Sequence, residues 1–226
     1  MIMAAPDFGR IIRHSSDAGF FDLWTSKPGT TVFVVLSVAC LLFCLSDFFS
    51  FSMDMLSSCF DRRSAVRIEH SISKGRVRNK VSACFLPAFI LVADYFRLWD
   101  PVWLQGWPES VSILKPLLAV TAIIVWRAFV LLFCPRAIDR DTRIAASRGL
   151  ANLLPFLVIL MVLTVTFLIV FGAGYDTFRK ALRVEVAAAI LLDIRIEGNI
   201  LMNSASGFLT FLYLCALEII LVAVCI

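Results

Sequence analysis

Two stretches of this chain, 31–51 and 150–172, are almost unbroken apolar sequence. About 20 residues of α-helix at a rise of 1.5 Å measure roughly 30 Å, the thickness of a bilayer's hydrocarbon core. Backbone placed in hydrocarbon must satisfy its own hydrogen bonds, so runs of this kind are expected as spanning helices. In 31–51 the main interruptions are Ser37, Ser46, Asp47 and Ser50. The rest of the chain shares the bias: 60% of its 226 residues are hydrophobic and only 17% are charged. Together with a mean hydropathy of +0.89, this excludes an ordinary water-soluble enzyme. The length has room for about five or six crossings and leaves nothing for an extramembrane domain. The reading is a single membrane domain over 1–226, an all-α polytopic bundle of five to six transmembrane helices.

The remaining crossings are less uniform. Segment 81–98 carries Pro87 in its interior and Asp94 and Arg97 near its end, so a kinked helix is expected. Pro116 suits the first turn of a crossing over 116–134, which contains Arg127. Segment 208–226 reads as the final crossing. Segment 182–196 is ambiguous, because Arg183, Glu185, Asp193, Arg195 and Glu197 flank an apolar core too short to span unaided. It could be a crossing with snorkelling ends, a re-entrant helix, or a helix lying on the surface.

The connections have their own character. Between 52 and 80 the chain turns amphipathic and then basic, and Phe48, Phe51, Met55 and Cys59 recur at helical spacing. This predicts that the first helix continues along the membrane interface until Gly75 breaks it. Trp99, Trp103 and Trp107, with Pro101 and Pro108 among them, suit a turn at the headgroup layer. The Asp139-Arg140-Asp141 triplet, flanked by further arginines, reads as a solvated loop over 135–149. With the N-terminus outside and all six segments crossing, the inner connections hold twelve Lys and Arg against eight outside. Lys74, Arg76, Arg78 and Lys80 abut a membrane crossing, so lipid headgroups are their expected contact, and nucleic acid is not.

Catalytic and metal chemistry finds little support. The seven cysteines show no CxxC spacing, and His14 and His70 have no ligand-spaced neighbours, so neither a disulfide framework nor a metal site is expected. No nucleophile-elbow, zincin, P-loop or dinucleotide motif occurs, and no cofactor is expected. The first 29 residues lack the apolar core of a cleavable signal, which leaves the first helix to act as the targeting signal.

Three ionisable residues lie where hydrocarbon penalises them. Arg127 is about 10 Å below the end of its helix, Glu218 is near the middle of the last crossing, and Asp47 is close to the inner end of the first. Such groups cost several kcal/mol unless paired, hydrated or neutralised. Depth therefore predicts Arg127 paired with Asp47, Glu218 or both. The pair is read first as a packing lock and second as a proton or ion path through Glu218. No internal repeat or pair of broken helices accompanies it, as a transporter would favour.

Leu212, Tyr213, Leu214, Cys215, Ala216, Leu217, Glu218 and Ile219 resemble the C-terminal signature of an uncharacterised Bacteroidota membrane family, domain of unknown function 4271. The basic segment after the first helix and Val125-Trp126-Arg127 in the third are similar to that family as well. Where the family continues into proline, this chain has Leu221. The resemblance implies a bacterial inner membrane and no particular mechanism. The expected function is a small non-catalytic subunit or assembly factor in an envelope process, with membrane lipids and other envelope proteins, or a second copy, as partners. The alternative is a small proton- or ion-coupled transporter or channel using Glu218 and Arg127.

Overall fold

The computed structural model describes residues 28–60, 63–64, 67–68, 71–98, 112–133, 140–202 and 215. Among these residues every regular element is an α-helix: α1 (Pro28–Phe60), α2 (Ile72–Tyr95), α3 (Leu114–Phe133), α4 (Arg140–Ser147), α5 (Gly149–Val170) and α6 (Tyr175–Met202). The crossing expected at 208–226 and the tryptophan-rich turn at 99–107 lie outside the described residues, Cys215 apart.

Helix α1 is 33 residues long, which at helical rise is roughly 50 Å. It continues past residue 51, as its spacing predicts, but its stripe does not lie on an interface. Cys44, Phe48, Phe51 and Met55 are buried against Val81, Cys84 and Phe85 of α2 and Leu157, Val158 and Met161 of α5. Phe48 anchors this core, with its ring 5.2 Å from that of Phe85 and 5.9 Å from that of Phe156. The other side of α1, with Val32, Val35, Leu42, Phe43, Phe49 and Met53, is exposed.

Helix α2 begins nine residues before the expected crossing. Ser71 caps it, its hydroxyl accepting from the Lys74 N–H at 3.5 Å. Gly75 therefore sits inside the first turns, donating its N–H to the Ser71 carbonyl, and breaks nothing. The basic residues 74–80 are helical because Lys and Arg are good helix formers and because α1 supplies counter-charges. Lys74 pairs with Asp54 at 2.6 Å and Lys80 with Asp47 at 2.5 Å. These pairs, with Phe48 on Phe85, run α1 and α2 antiparallel.

Helix α5 runs alongside α2 in the same direction. Its start meets α2 where the Ser82 hydroxyl donates to the Ala151 carbonyl at 2.6 Å, and α1 where Asn152 donates to the Ser58 hydroxyl at 3.2 Å. Helix α6 returns antiparallel to α5. At its beginning the Tyr175 hydroxyl donates to the Tyr95 carbonyl at 3.2 Å, and Phe96 stacks on Tyr175 and Phe178. Midway, Thr164 of α5 donates to Glu185 of α6. At 28 residues, α6 runs the length of α5, well beyond the short core legible in 182–196. Helix α3 starts beside α1, where Ile113 approaches Gly29, and ends beside α4. Segment 140–147, expected as a solvated loop, is helix α4 with Thr142, Ala145 and Ala146 buried.

The bundle thus has an aromatic end, with Tyr95, Phe96, Tyr175 and Phe178, and a polar end where α1, α3 and α6 finish and α2 and α5 begin. At the aromatic end both α2 and α5 stop in a Schellman motif, with paired bonds from Arg97 and Leu98 and from Gly172 and Ala173 back into the last turn. The left-handed positions are Arg97 (φ 47°) and Gly172 (φ 66°). A methyl group at Gly172 would touch nothing, so its cost is backbone strain alone. Gly172→Ala is expected to lower the unfolding free energy by about 1–2 kcal/mol, read as a shift in the denaturant midpoint of the detergent-solubilised protein.

Candidate functional site

The polar end holds the charges on which a functional reading turns. Arg127 reaches from α3 across to α6. Its Nη2 lies 2.5 Å from Asp193 Oδ2, and its Nη1 lies 3.1 Å from Glu197 Oε1 while donating to the Ser147 carbonyl at 3.2 Å. Arg127 is 6% exposed, and Asp193 and Glu197 are fully buried. Asp193 and Glu197 are four residues apart, so helical geometry puts both on the face of α6 that also carries Ile196 and Ile200. A planar guanidinium with several fixed donors suits such a fork better than an ammonium would.

The surroundings fix the fork from the other side. Gly149, the first residue of α5, sits directly against the Asp193 carboxylate, and the α4 carbonyl of Ser147 takes the third Arg127 bond. Arg127 thus ties α3 to α4 and α6, and α5 begins against its partner Asp193. Beside the clamp, Ser58 donates to the Met55 carbonyl at 2.6 Å and receives the Asn152 amide.

The expected residues are placed as follows. Arg127 is buried and ion-paired, but its partners are Asp193 and Glu197 in place of Asp47. Asp47 is held on α1 by Lys80, whose ammonium also lies 4.0 Å from the Phe43 ring centroid. It faces α2, which separates it from Arg127's pairing. Glu218 lies outside the described residues. Of the four residues expected at headgroups, Arg76 is exposed and Lys74 and Lys80 are partly exposed within their pairs with α1. Arg78 is the correction: it is 1% exposed, because α2 turns it inward. There it donates to Asn79 Oδ1 at 3.0 Å.

Asp193 and Glu197 are the site residues that the sequence reading treated only as flanking charges. Their four-residue spacing was the available signal. Among the described residues no group of three His, Cys, Asp or Glu side chains could hold a metal ion.

No protein-family model matches the chain, and no similar curated protein or solved structure is found. The class of protein is therefore defined by the fold itself: the described residues are helical, and among them two stretches, Gly29–Cys59 and Ile144–Val170, are long and apolar enough to cross a membrane. Most of the apolar length of both stretches is uncovered, 17% and 28% of it being buried.

Proposed function

We propose that the chain is a multi-pass protein of a bacterial inner membrane, acting as a small non-catalytic subunit or assembly factor in an envelope process. In this reading α1, α2, α3, α5 and α6 all cross, and the polar end, with Lys74, Arg76, Lys80 and Arg148, faces the cytoplasm. The observation that carries it is the Arg127 clamp. The deep cation is engaged by two fully buried carboxylates and a backbone carbonyl, which suits a lock between helices better than a group in a conducting path. Three acidic side chains of α6 that would oppose insertion have protein partners: Asp193 and Glu197 meet Arg127, and Glu185 meets Thr164. The uncovered apolar sides of α1 and α5 suit lipid or a neighbouring membrane helix.

Purification from native membranes in a mild detergent, with the mass of the particle measured, tests the proposal. A stoichiometric second protein or a second copy is expected, and a monomer carrying lipid alone would remove the subunit reading. Proton-coupled flux in liposomes that disappears in Glu218→Gln would favour the transport alternative instead. Cysteines placed singly in 175–183 should label only from outside the cell, and labelling from the cytoplasmic side would overturn the orientation.

A further inference from the structure

Helix α3 packs chiefly against α2 and α4, while Arg127 holds it to α6 from a distance. Between α2, α3, α5 and α6 this leaves a crevice of about 500 Å³, within the size of small-molecule sites, roughly 300–1,000 Å³. Its walls are Leu86, Phe89, Val120, Ile123, Leu154 and Leu157, with smaller contributions from α6. At the polar end it is lined by Ser82, Ser147, Arg127 and Arg148. Ala83 and Ala128 line it and are exposed, so it opens at the surface of the bundle.

Its dimensions have a direction. From Arg148, at the start of α5, to Leu157 is about 14 Å along the helix. Half of a 30 Å hydrocarbon core is about 15 Å. The crevice therefore starts at the level of the basic residues and ends near the middle of the membrane, the depth of one leaflet's acyl chains.

We propose that this crevice binds one anionic glycerophospholipid of the phosphatidylglycerol type, its phosphate at Arg148 and one of its two acyl chains inside, against Leu86, Phe89, Ile123 and Leu157. The inference rests on the membrane-spanning reading above. Charge complementarity selects the headgroup. Arg148 lines the mouth, and Arg78 lies one helical turn before Ser82 on the same buried face of α2, whereas Asp193 and Glu197 are directed at Arg127. The hydroxyls of Ser82 and Ser147 donate to the Ala151 and Ile144 carbonyls, so towards the crevice they act as acceptors. A glycerol headgroup supplies hydroxyl donors for them as well as the phosphate for Arg148.

The test uses the full-length protein reconstituted in bilayers of equal phosphatidylglycerol and phosphatidylethanolamine, released into detergent and analysed by native mass spectrometry. One phosphatidylglycerol per chain is expected to remain in preference to phosphatidylethanolamine. Arg148→Gln is expected to lower that retention about fivefold, as loss of one cation at a lipid surface does. Ala128→Phe places a ring in the mouth from an exposed position and should abolish retention without changing the melting temperature. Arg76→Gln, on the exposed side of α2, should leave retention unchanged. Equal retention of the two lipids, or equal losses in Arg76→Gln and Arg148→Gln, would overturn the site. A chain released from membranes by alkaline carbonate would instead overturn the spanning reading.

Discussion

Arg127→Leu is expected to be the most damaging single substitution at the polar end, costing about 3–5 kcal/mol. The loss comes less from the missing attraction than from what remains, two carboxylates on α6 with no exposure to water and no guanidinium between them. For a chain of this length each kcal/mol corresponds to about 2–4 °C in melting temperature. The detergent-solubilised variant should therefore melt about 10 °C or more below the wild type. Arg127→Lys keeps the charge but not the planar fork, and should fall between the two.

The same physics predicts a rescue. Removing all three charges, as in Arg127→Met with Asp193→Leu and Glu197→Leu, replaces an ionic cluster by apolar side chains, a change that is often neutral for a buried cluster. Most of the lost melting temperature should return. The three-way comparison separates a lock from a simple need for positive charge. If Arg127→Leu melts with the wild type, the clamp is not what holds α3 to α6.

The helices that hydropathy reads well are those whose environment is uniform. The helices expected at 116–134 and 150–172 are found as the helices Leu114–Phe133 and Gly149–Val170, because nearly every turn is apolar and the ends are marked by Pro116 and Gly172. Where charge and structure coexist the sequence is a poorer guide. Residues 74–80 look like a loop until Asp54 and Asp47 are seen opposite Lys74 and Lys80. Helix α4 was hidden by its arginines, although Thr142, Ala145 and Ala146 form a small buried face.

Helix α6 shows why. A hydropathy sum charges Glu185, Asp193 and Glu197 in full, whether or not a partner waits across the bundle, so only 182–196 stood out. Partners on other helices are tertiary information. Depth alone matches Arg127 to Asp47, Glu218 or both; the fold gives Asp47 to Lys80, and Glu218 lies outside the described residues. The spacing of Asp193 and Glu197 was visible, but not that α3 would lie across from them.

The clamp also explains a glycine. At Gly149 a methyl group would overlap the Asp193 carboxylate and come within 3.8 Å of Ile196 Cγ2. Gly149→Ala would ordinarily gain up to about 1 kcal/mol of helix propensity, less at a first helical position. Here the added carbon must push Asp193 away from Arg127 or move the start of α5 off α6, and overpacking of this kind costs about 1–3 kcal/mol. A net loss of stability is expected. The sign should reverse when the obstacle is removed: in an Asp193→Ser background the shorter side chain leaves room, and Gly149→Ala should be neutral or mildly stabilising. Residues in contact couple by about 0.5–3 kcal/mol, so a double-mutant cycle in denaturant has a resolvable interaction energy. Additive effects of the two substitutions would mean that Gly149 is required for some reason other than the close approach of α5 to the buried carboxylate.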